Sequence, residues 1–439
     1  MSLRKIRASL SVNHPLRMMT TRRQSLKALA AMATVQIVPS RVLGLKGQTP
    51  PSEILTRGII GCGNISGSHL TMPGKLLALC DVDSKHLDER MRGSGGEAKD
   101  VKGYHDFREL VARDDIDIVH ICTPPHWHAL MAIAAAKAGK DIWCEKPMSR
   151  TLGEGIAMVK AVEKQNRIFR LNTWFRFKDS FYDMRVPVKM LKKAAMRDLL
   201  GWPLKITVSG VTGFDWKLNT WAGKPGLKPE PVPPELDYDF WLGPAPNKPY
   251  NHLRSHLTFR GYWDYDGGGL GDMGQHYLDP VQYILNKDDQ APISVEIDAD
   301  PQDAEAIGTW RRIEFTYADG CKVVLDGENK DTAAVYMSGP KGWIGKGLQS
   351  NIADLRKKID ALPDPEPQRT DFHACIRSRE KFAVNERNGF WSCAMVQMGI
   401  IAHHLNKNLK FDSKTLKFDD PAANALSYPV MRAPWKIND

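Results

Sequence analysis

Residues 57–69 read Arg-Gly-Ile-Ile-Gly-Cys-Gly-Asn-Ile-Ser-Gly-Ser-His and decide the fold of the first half of the chain. A short apolar run ends at Gly61, and Gly63 precedes a predicted helix. Glycine at these positions permits a tight turn and lets the backbone approach a pyrophosphate, which the N–H groups of the helix then face. Gly61, Gly63, Asn64 and Ile65 are therefore candidates for dinucleotide binding, although the same pattern also occurs in ordinary glycine-rich turns.

The next apolar run supports the dinucleotide interpretation. It covers residues 76–80 and ends in Asp81, about twenty residues after Gly61. A carboxylate at this position accepts hydrogen bonds from the hydroxyls of the adenine ribose and repels a 2′-phosphate. Asp81 therefore predicts NAD rather than NADP as the cofactor.

Strands and helices continue to alternate as far as residue 144. An apolar run over 116–122, a helical stretch over 129–139 and a strand over 141–144 predict a parallel sheet with helices on both faces. Ligands of such sheets bind at the carboxyl ends of the strands. The residues at or just after these strand ends are further candidates for cofactor binding: Thr123, Pro124, His128, Glu145 and Lys146.

The pattern changes after about residue 171. A helical stretch over 180–200 is followed by β-rich runs over 204–211, 293–297, 311–317, 322–326 and 333–337. This order predicts an α+β domain with one large open mixed sheet, following an α/β Rossmann domain. The expected boundaries are 1–44 for a signal peptide, 45–172 for the Rossmann domain and 173–439 for the substrate and oligomerisation domain.

The second half carries one chemically informative segment, 267–279, which reads Gly-Gly-Gly-Leu-Gly-Asp-Met-Gly-Gln-His-Tyr-Leu-Asp. Asp272 and His276 are four residues apart, so they project from one face of the predicted helix. A neutral histidine accepts a hydroxyl proton as hydride leaves the same carbon, and a nearby carboxylate raises its basicity. The residues alone leave open an ordinary polar helix pair, and Asp279 is expected on the helix surface.

Several of these motifs together resemble the Gfo/Idh/MocA oxidoreductases. They are Gly61-Cys62-Gly63-Asn64, Cys80-Asp81-Val82-Asp83, Thr123-Pro124-Pro125-His126-Trp127-His128, Glu145-Lys146-Pro147 and the glycine-rich segment 267–279. The resemblance implies an NAD-dependent dehydrogenase of CH–OH groups and a homo-oligomer.

The same resemblance implies roles for individual residues. Lys146 orients and polarises the substrate oxygen, His276 acts as general base or acid, and Asp272 holds the pair. Arg176 is a candidate for substrate binding, because it lies near the place of a substrate-facing arginine in the family.

Tryptophan clusters between residues 202 and 263, at Trp202, Trp216, Trp221, Trp241 and Trp263. Aromatic faces stack on the C–H faces of sugar rings, so at least one of these residues, with Trp263 as a candidate, is expected to line a substrate site. Together with the preference of the family, this predicts a sugar, glycoside or cyclic polyol. Core packing is the alternative for each tryptophan.

The N-terminus resembles a twin-arginine export signal. Arg22 and Arg23 precede a moderately apolar run over 28–38, and the signal is expected to end near Gly44. A basic amphipathic tail is the alternative. An exported protein has no dependable pool of nicotinamide outside the cytoplasm, so the cofactor is expected to be tightly held.

Charge and composition exclude other classes of function. Eight basic and no acidic residues lie in residues 1–44, so the rest of the chain carries only about +2 of the net charge of +10, too little to hold nucleic acid. No stretch is long and apolar enough to predict a membrane span. The seven scattered cysteines predict buried thiols, and the sequence shows no metal-ligand spacing.

Two alternatives to a dehydrogenase remain from the sequence. One is a glycosidase that uses NAD for transient oxidation and elimination. The other is a sugar- or nucleotide-binding protein without catalysis, which the joint presence of Lys146, Asp272 and His276 disfavours.

Overall fold

The fold is described from a computed structural model that covers residues 53–94, 100–177, 185–196, 198–209, 218–327 and 335–437. The predicted signal peptide over 1–44 lies outside these residues. So do Trp216, part of the predicted helix over 180–200 and part of the predicted strand over 333–337.

The first half forms a six-stranded sheet in which every pair of neighbours is parallel. Its strands are β1 Thr56–Ile60, β2 Lys75–Cys80, β3 Lys102–Tyr104, β4 Ile118–Ile121, β5 Asp141–Cys144 and β6 Phe169–Leu171, in the order β3-β2-β1-β4-β5-β6. The strand order reverses between β1 and β4, which opens a crevice at their carboxyl ends. The Rossmann prediction is confirmed.

The helices between these strands begin where the local sequence satisfies their free N–H groups. They are Ser66–Leu70, Ser84–Gly93, Phe107–Val111, Pro125–Lys137 and Leu152–Lys164. Asp83 accepts hydrogen bonds from the backbone of its own helix, and Thr151 and Glu154 form a reciprocal capping box.

The second half forms an eight-stranded mixed sheet, as predicted. Its strands are β7 Lys205–Ser209, β8 Ser294–Ala299, β9 Trp310–Thr316, β10 Lys322–Asp326, β11 Met337–Gly339, β12 Gly342–Ile344, β13 Leu409–Asp412 and β14 Lys417–Phe418. The order is β12-β11-β7-β10-β9-β8-β13-β14. Only β7 and β10 pair in parallel; the other neighbours are antiparallel.

Two long helices connect the sheets and bury the glycine-rich segment. Helix Gly268–Leu285 is buried along almost its whole length. Helix Glu386–Leu405 packs on it, on helix Leu152–Lys164 and on β8. The catalytic candidates on the first helix are therefore held between the two halves of the molecule.

The remaining helices are shorter. They are Val188–Met196, Leu218–Trp221, Tyr238–Leu242, Leu355–Asp360, Phe372–Ser378 and Pro421–Ser427, with 3₁₀ turns at Phe175–Phe177, His252–Arg254, His256–Gly261 and Lys346–Leu348. Residues 229–261, called here the crossing segment, run from the second half over the carboxyl end of β2. The N–H of Asp237 donates to the carbonyl of Val82 over 3.0 Å, and that of Ser84 donates to Glu235 over 2.9 Å.

Neither a membrane span nor a disulfide is found in the described part of the chain. No helix there combines the length and hydropathy that crossing a bilayer requires. All seven cysteines are described, buried and unpaired, which confirms the expectation of buried thiols.

Candidate active site

A cavity of about 660 Å³ lies at the carboxyl ends of the parallel strands and is lined by both halves of the molecule. Most of the predicted cofactor and catalytic residues lie on its wall: Gly61, Gly63, Asn64, Ile65, Asp81, Thr123, Pro124, Glu145, Lys146, Asp272 and His276. Residues distant in the sequence thus meet at one site.

The turn that contains Gly61 and Gly63 can accommodate a dinucleotide. Gly61 adopts a backbone conformation that other residues rarely adopt, and Gly63 leaves the main chain uncovered. Gly61 has a φ of +91°, and a Cβ there would lie 2.7 Å from the carbonyl carbon of Cys122. A Cβ at Gly63 would meet nothing within 4 Å, so the backbone is open to the cavity. Such a turn lets a pyrophosphate approach the main chain closely.

Asp81 lies where the adenine ribose of a dinucleotide binds in this fold. Its carboxylate accepts hydrogen bonds from the N–H of Cys62 over 2.6 Å and the N–H of Asp83 over 2.8 Å. Burial raises the pKa of Asp81, and these backbone donors oppose the rise. The carboxylate is therefore held in one orientation on the cavity wall.

At the other end of the cavity, Asp272 collects several donors. Its Oδ1 lies 2.8 Å from Nζ of Lys146 and 3.1 Å from Nε of Arg260, and its Oδ2 accepts from Nε1 of Trp221 over 2.9 Å. Lys146 also donates to the Asp272 carbonyl. The ammonium from the Rossmann domain is thereby tied to the helix that carries His276.

The imidazole of His276 is held by aromatic and polar neighbours. It stacks on Phe175 with ring centroids 4.7 Å apart and an interplanar angle of 14°, and Trp174 meets it edge-on at 6.2 Å. Its Nδ1 lies 3.4 Å from the Thr173 hydroxyl. His276 is 7% exposed and lines the cavity, so its orientation is restricted.

Gln275, which the sequence analysis did not single out, connects three elements beside the catalytic candidates. Its Oε1 accepts from the N–H of Met148, which follows Lys146-Pro147, over 2.9 Å. Its Nε2 donates to the carbonyl of Gly389 and the hydroxyl of Ser392 on helix Glu386–Leu405. No short-range pattern signals this role, because the three partners are far apart in the sequence.

Asp266 is a second carboxyl group that sequence reasoning missed. It lines the cavity, and its Oδ1 accepts from the N–H of Gly267 over 2.8 Å. Burial raises its pKa to about 7; Arg260 opposes this rise and Asp272 adds to it. A Cβ at Gly271 would lie 1.9 Å from Asp266 Oδ1, so this glycine makes room for the carboxyl. Its position directly before the glycine run is the only sequence signal.

Glu145 ends a buried polar chain behind the cavity. Its Oε1 lies 2.8 Å from Nε2 of His69 and accepts from Asn172 over 2.6 Å, while Nδ1 of His69 lies 2.8 Å from Nδ1 of His120. Burial favours the neutral acid, but His69, Lys146 and Asn172 together hold the pKa of Glu145 below its ordinary value. The structure thus places an ionised carboxylate next to Lys146.

Two predicted ligand-binding residues are structural instead. His128 is fully buried and does not line the cavity. Its ring nitrogens lie 2.7 Å from the carbonyl oxygen of Pro147 and 2.8 Å from that of Thr123, so it links the segments that follow two strands. Trp263 is also off the cavity wall. It is 5% exposed and stacks on His404 with centroids 4.3 Å apart.

The expectations for Arg176 and Asp279 are corrected as well. Arg176 is 3% exposed and donates to Asp279 through Nε over 2.9 Å and Nη2 over 2.6 Å, and it also pairs with Asp288. Asp279 is fully buried instead of lying on the helix surface. The two form a buried ion pair and leave Arg176 with no position on the cavity wall.

The expected aromatic lining is present and includes one of the five tryptophans, although not Trp263. Of the tryptophans singled out in the sequence, Trp241 lines the cavity and Trp221 holds Asp272, while Trp216 lies outside the described residues. Further rings on the wall are Phe107, Trp127, Trp174, Phe240 and Phe259.

Sequence models of one family match both halves. The NAD-binding Rossmann fold of the oxidoreductase family matches residues 55–173, and the C-terminal alpha/beta domain matches residues 184–437. The chain belongs to the Gfo/Idh/MocA oxidoreductase family. NAD is the cofactor of this Rossmann fold.

Individual relatives cover only part of the chain. A myo-inositol 2-dehydrogenase of Thermotoga maritima is 28% identical over 66% of each chain. A glycosyl hydrolase family 109 protein of Saccharopolyspora erythraea is 35% identical over 26% of this chain and 27% of its own length. The chain thus spans between about a quarter and two thirds of these curated relatives.

A solved relative shows the same fold. The WlbA dehydrogenase of Bordetella pertussis, crystallised with NADH and UDP-GlcNAcA, superposes with a TM-score of 0.56 at 17% identity, covering 82% of this chain and 99% of that one. At this identity the likeness concerns the fold.

Proposed function

We propose that this member of the family is an NAD-dependent oxidoreductase that transfers hydride between a tightly held nicotinamide and a hydroxyl-bearing carbon of a sugar, glycoside or cyclic polyol. One observation carries the proposal. Lys146, from the Rossmann half, and His276, from the other half, lie on the wall of the cavity that the dinucleotide turn also lines.

Each catalytic candidate has a task that its surroundings support. Lys146, anchored by Asp272, donates a hydrogen bond to the substrate oxygen and stabilises negative charge on it. His276, held by Phe175 and Thr173, takes the hydroxyl proton. NAD⁺, when bound, would supply the acceptor for the hydride of the same carbon, so that the alcohol becomes a carbonyl while His276 holds the hydroxyl proton. In reduction the proton moves from His276 to the substrate.

The test is turnover of purified protein with cyclic polyols and sugars, followed by the absorbance of reduced nicotinamide. We expect His276→Ala and Lys146→Ala each to lower kcat by about 10²–10⁴-fold, the usual contribution of a proton-transfer group. His252→Ala is the control, because His252 is exposed and pairs with Glu230 outside the cavity. Unchanged turnover in both catalytic variants would contradict the assignment of these residues, whereas wild-type protein that turns over none of these substrates would favour a non-catalytic binding protein.

A second candidate function is an NAD-dependent glycosidase. It is favoured by the similarity to the family 109 glycosyl hydrolase, which is confined to 125 residues. In this reaction transient oxidation is followed by elimination, water addition and reduction, with no net redox change. Release of nitrophenol from a nitrophenyl glycoside without accumulation of reduced nicotinamide would establish it in place of the dehydrogenase.

Retention of the cofactor is supported by the crossing segment. Phe240, Trp241, His256, Leu257, Phe259 and Arg260 of this segment line the cavity. The segment is fastened to the end of β2 by backbone hydrogen bonds, which supports its role in holding a bound dinucleotide. Native mass spectrometry of freshly purified protein is expected to show one NAD(H) per chain and more than one chain per particle. Particles without nicotinamide would contradict retention, and single chains would contradict the proposed homo-oligomer.

Export through the twin-arginine route also remains part of the proposal. It is supported by Arg22-Arg23 and the apolar run that follows. Replacing both arginines by lysine is expected to move the protein from the periplasmic to the cytoplasmic fraction, and an unchanged distribution would contradict it.

A further inference from the structure

Three side chains outside the catalytic set meet at the rim of the cavity near Asp81. Asp83 caps helix Ser84–Gly93, His86 lies in its first turn, and His256 begins a 3₁₀ turn of the crossing segment. One ligand atom from each lies within 4.8 Å of the others. In the described part of the chain, no other three His, Cys, Asp or Glu side chains meet in this way.

The distances suit metal coordination. Nε2 of His256 lies 3.2 Å from Oδ2 of Asp83, and two ligands bonded to a tetrahedral zinc ion at 2.0–2.1 Å lie about 3.3 Å apart. The rings of His86 and His256 have centroids 4.6 Å apart. Oδ1 of Asp83 accepts from the N–H groups of Lys85 and His86, which fixes the carboxylate and leaves Oδ2 directed at His256.

The backbone conformation and the burial of the cluster also fit a metal site. His256 has a φ of +49°, a left-handed conformation that is uncommon for a residue with a Cβ. Asp83 is buried, whereas both histidines remain partly accessible to an incoming ion.

We propose that Asp83, His86 and His256 bind one divalent cation of the zinc class. Two imidazole nitrogens and one carboxylate oxygen are ligands that zinc prefers, and three protein ligands leave one position for water. The ion ties the crossing segment to the Rossmann domain beside the adenosine end of the cavity. This site is separate from the catalytic set and does not depend on the proposed reaction.

The experiment is zinc binding to full-length, tag-free protein that has been stripped with a chelator. After dialysis against zinc chloride, metal analysis is expected to show one zinc per chain, together with a rise in Tm. His86→Ala and His256→Ala are expected to weaken zinc binding at least ten-fold. His105→Ala is the matched control, because His105 also bridges to the crossing segment, 3.0 Å from Asp237, but belongs to no group of three such ligands among the described residues.

Two outcomes would overturn the proposal. One is wild-type protein that binds no stoichiometric zinc; the other is binding that survives in both histidine variants, which places the ion elsewhere. If the variants fail to fold, cobalt(II) added to wild-type protein replaces them as the probe. The absorption bands of four-coordinate cobalt support the site, and a six-coordinate aquo spectrum contradicts it.

Discussion

Individual carboxyl groups carry much of the chemistry of this cavity, and the fold raises the pKa of one of them, Asp266, to about 7. It lies among Asp272, Arg260 and Lys146, which all influence its pKa. With a pKa of about 7, it changes charge within the physiological range, unlike an exposed aspartate.

Asp266 therefore makes stability depend on pH. Its pKa rises from 3.8 in the unfolded chain to about 7 in the folded protein, so the folded state binds more protons between these values. The free energy of unfolding then falls as pH increases through this window. Asp266→Asn removes that dependence. In denaturant titrations from pH 4 to pH 8, the free energy of unfolding of the variant is therefore expected to increase relative to that of wild type as the pH rises. Parallel profiles would show that Asp266 titrates normally.

At the scale of elements, the pair of Arg176 and Asp279 fastens the 3₁₀ turn Phe175–Phe177 to helix Gly268–Leu285. The turn also presents Phe175 to the ring of His276, so the ion pair helps to position a catalytic candidate. The side chains are 1% and 0% exposed.

Removing one partner of this buried pair leaves the other charge uncompensated. We expect Arg176→Ala to lower the free energy of unfolding by about 3–5 kcal/mol in chemical denaturation. Arg356→Ala is the control, because Arg356 pairs with Asp360 on an exposed helix face, where such a pair contributes about 0–1 kcal/mol. Equal losses in the two variants would contradict the account.

At the scale of the whole molecule, the C-terminal tail holds the crossing segment in place. Arg432 donates to the carbonyl of Gly243 over 2.9 Å and to that of Asp239 over 2.7 Å. Trp435 stacks on Phe240 with ring centroids 5.6 Å apart. The tail therefore supports the outer side of a segment whose inner side lines the cavity.

Loosening this support is expected to release the cofactor. Arg432→Ala removes hydrogen bonds worth about 0.5–1.5 kcal/mol each, so loss of NAD during dialysis is expected to become about ten-fold faster. Lys436→Ala is the control, because Lys436 is exposed on the same tail. Equal rates of NAD loss from wild type and both variants would show that the tail does not limit release of the cofactor.

The sequence alone predicted the Rossmann sheet, the mixed second sheet, the NAD preference and the helix with Asp272 and His276. These features follow from local patterns: an apolar strand, a glycine turn, and residues at a helical spacing. Each pattern is completed within a few residues, so the neighbouring sequence is enough to predict the corresponding feature.

Only the tertiary structure decided which polar groups meet. His128, Arg176 and Trp263 were expected at a ligand, yet they brace the fold. Arg260 and Gln275 contribute to the site without a sequence signal, and the only signal for Asp266 is its place before the glycine run. The partner of a buried polar group is chosen by how distant elements pack, because burial demands a partner but local sequence does not specify where it comes from.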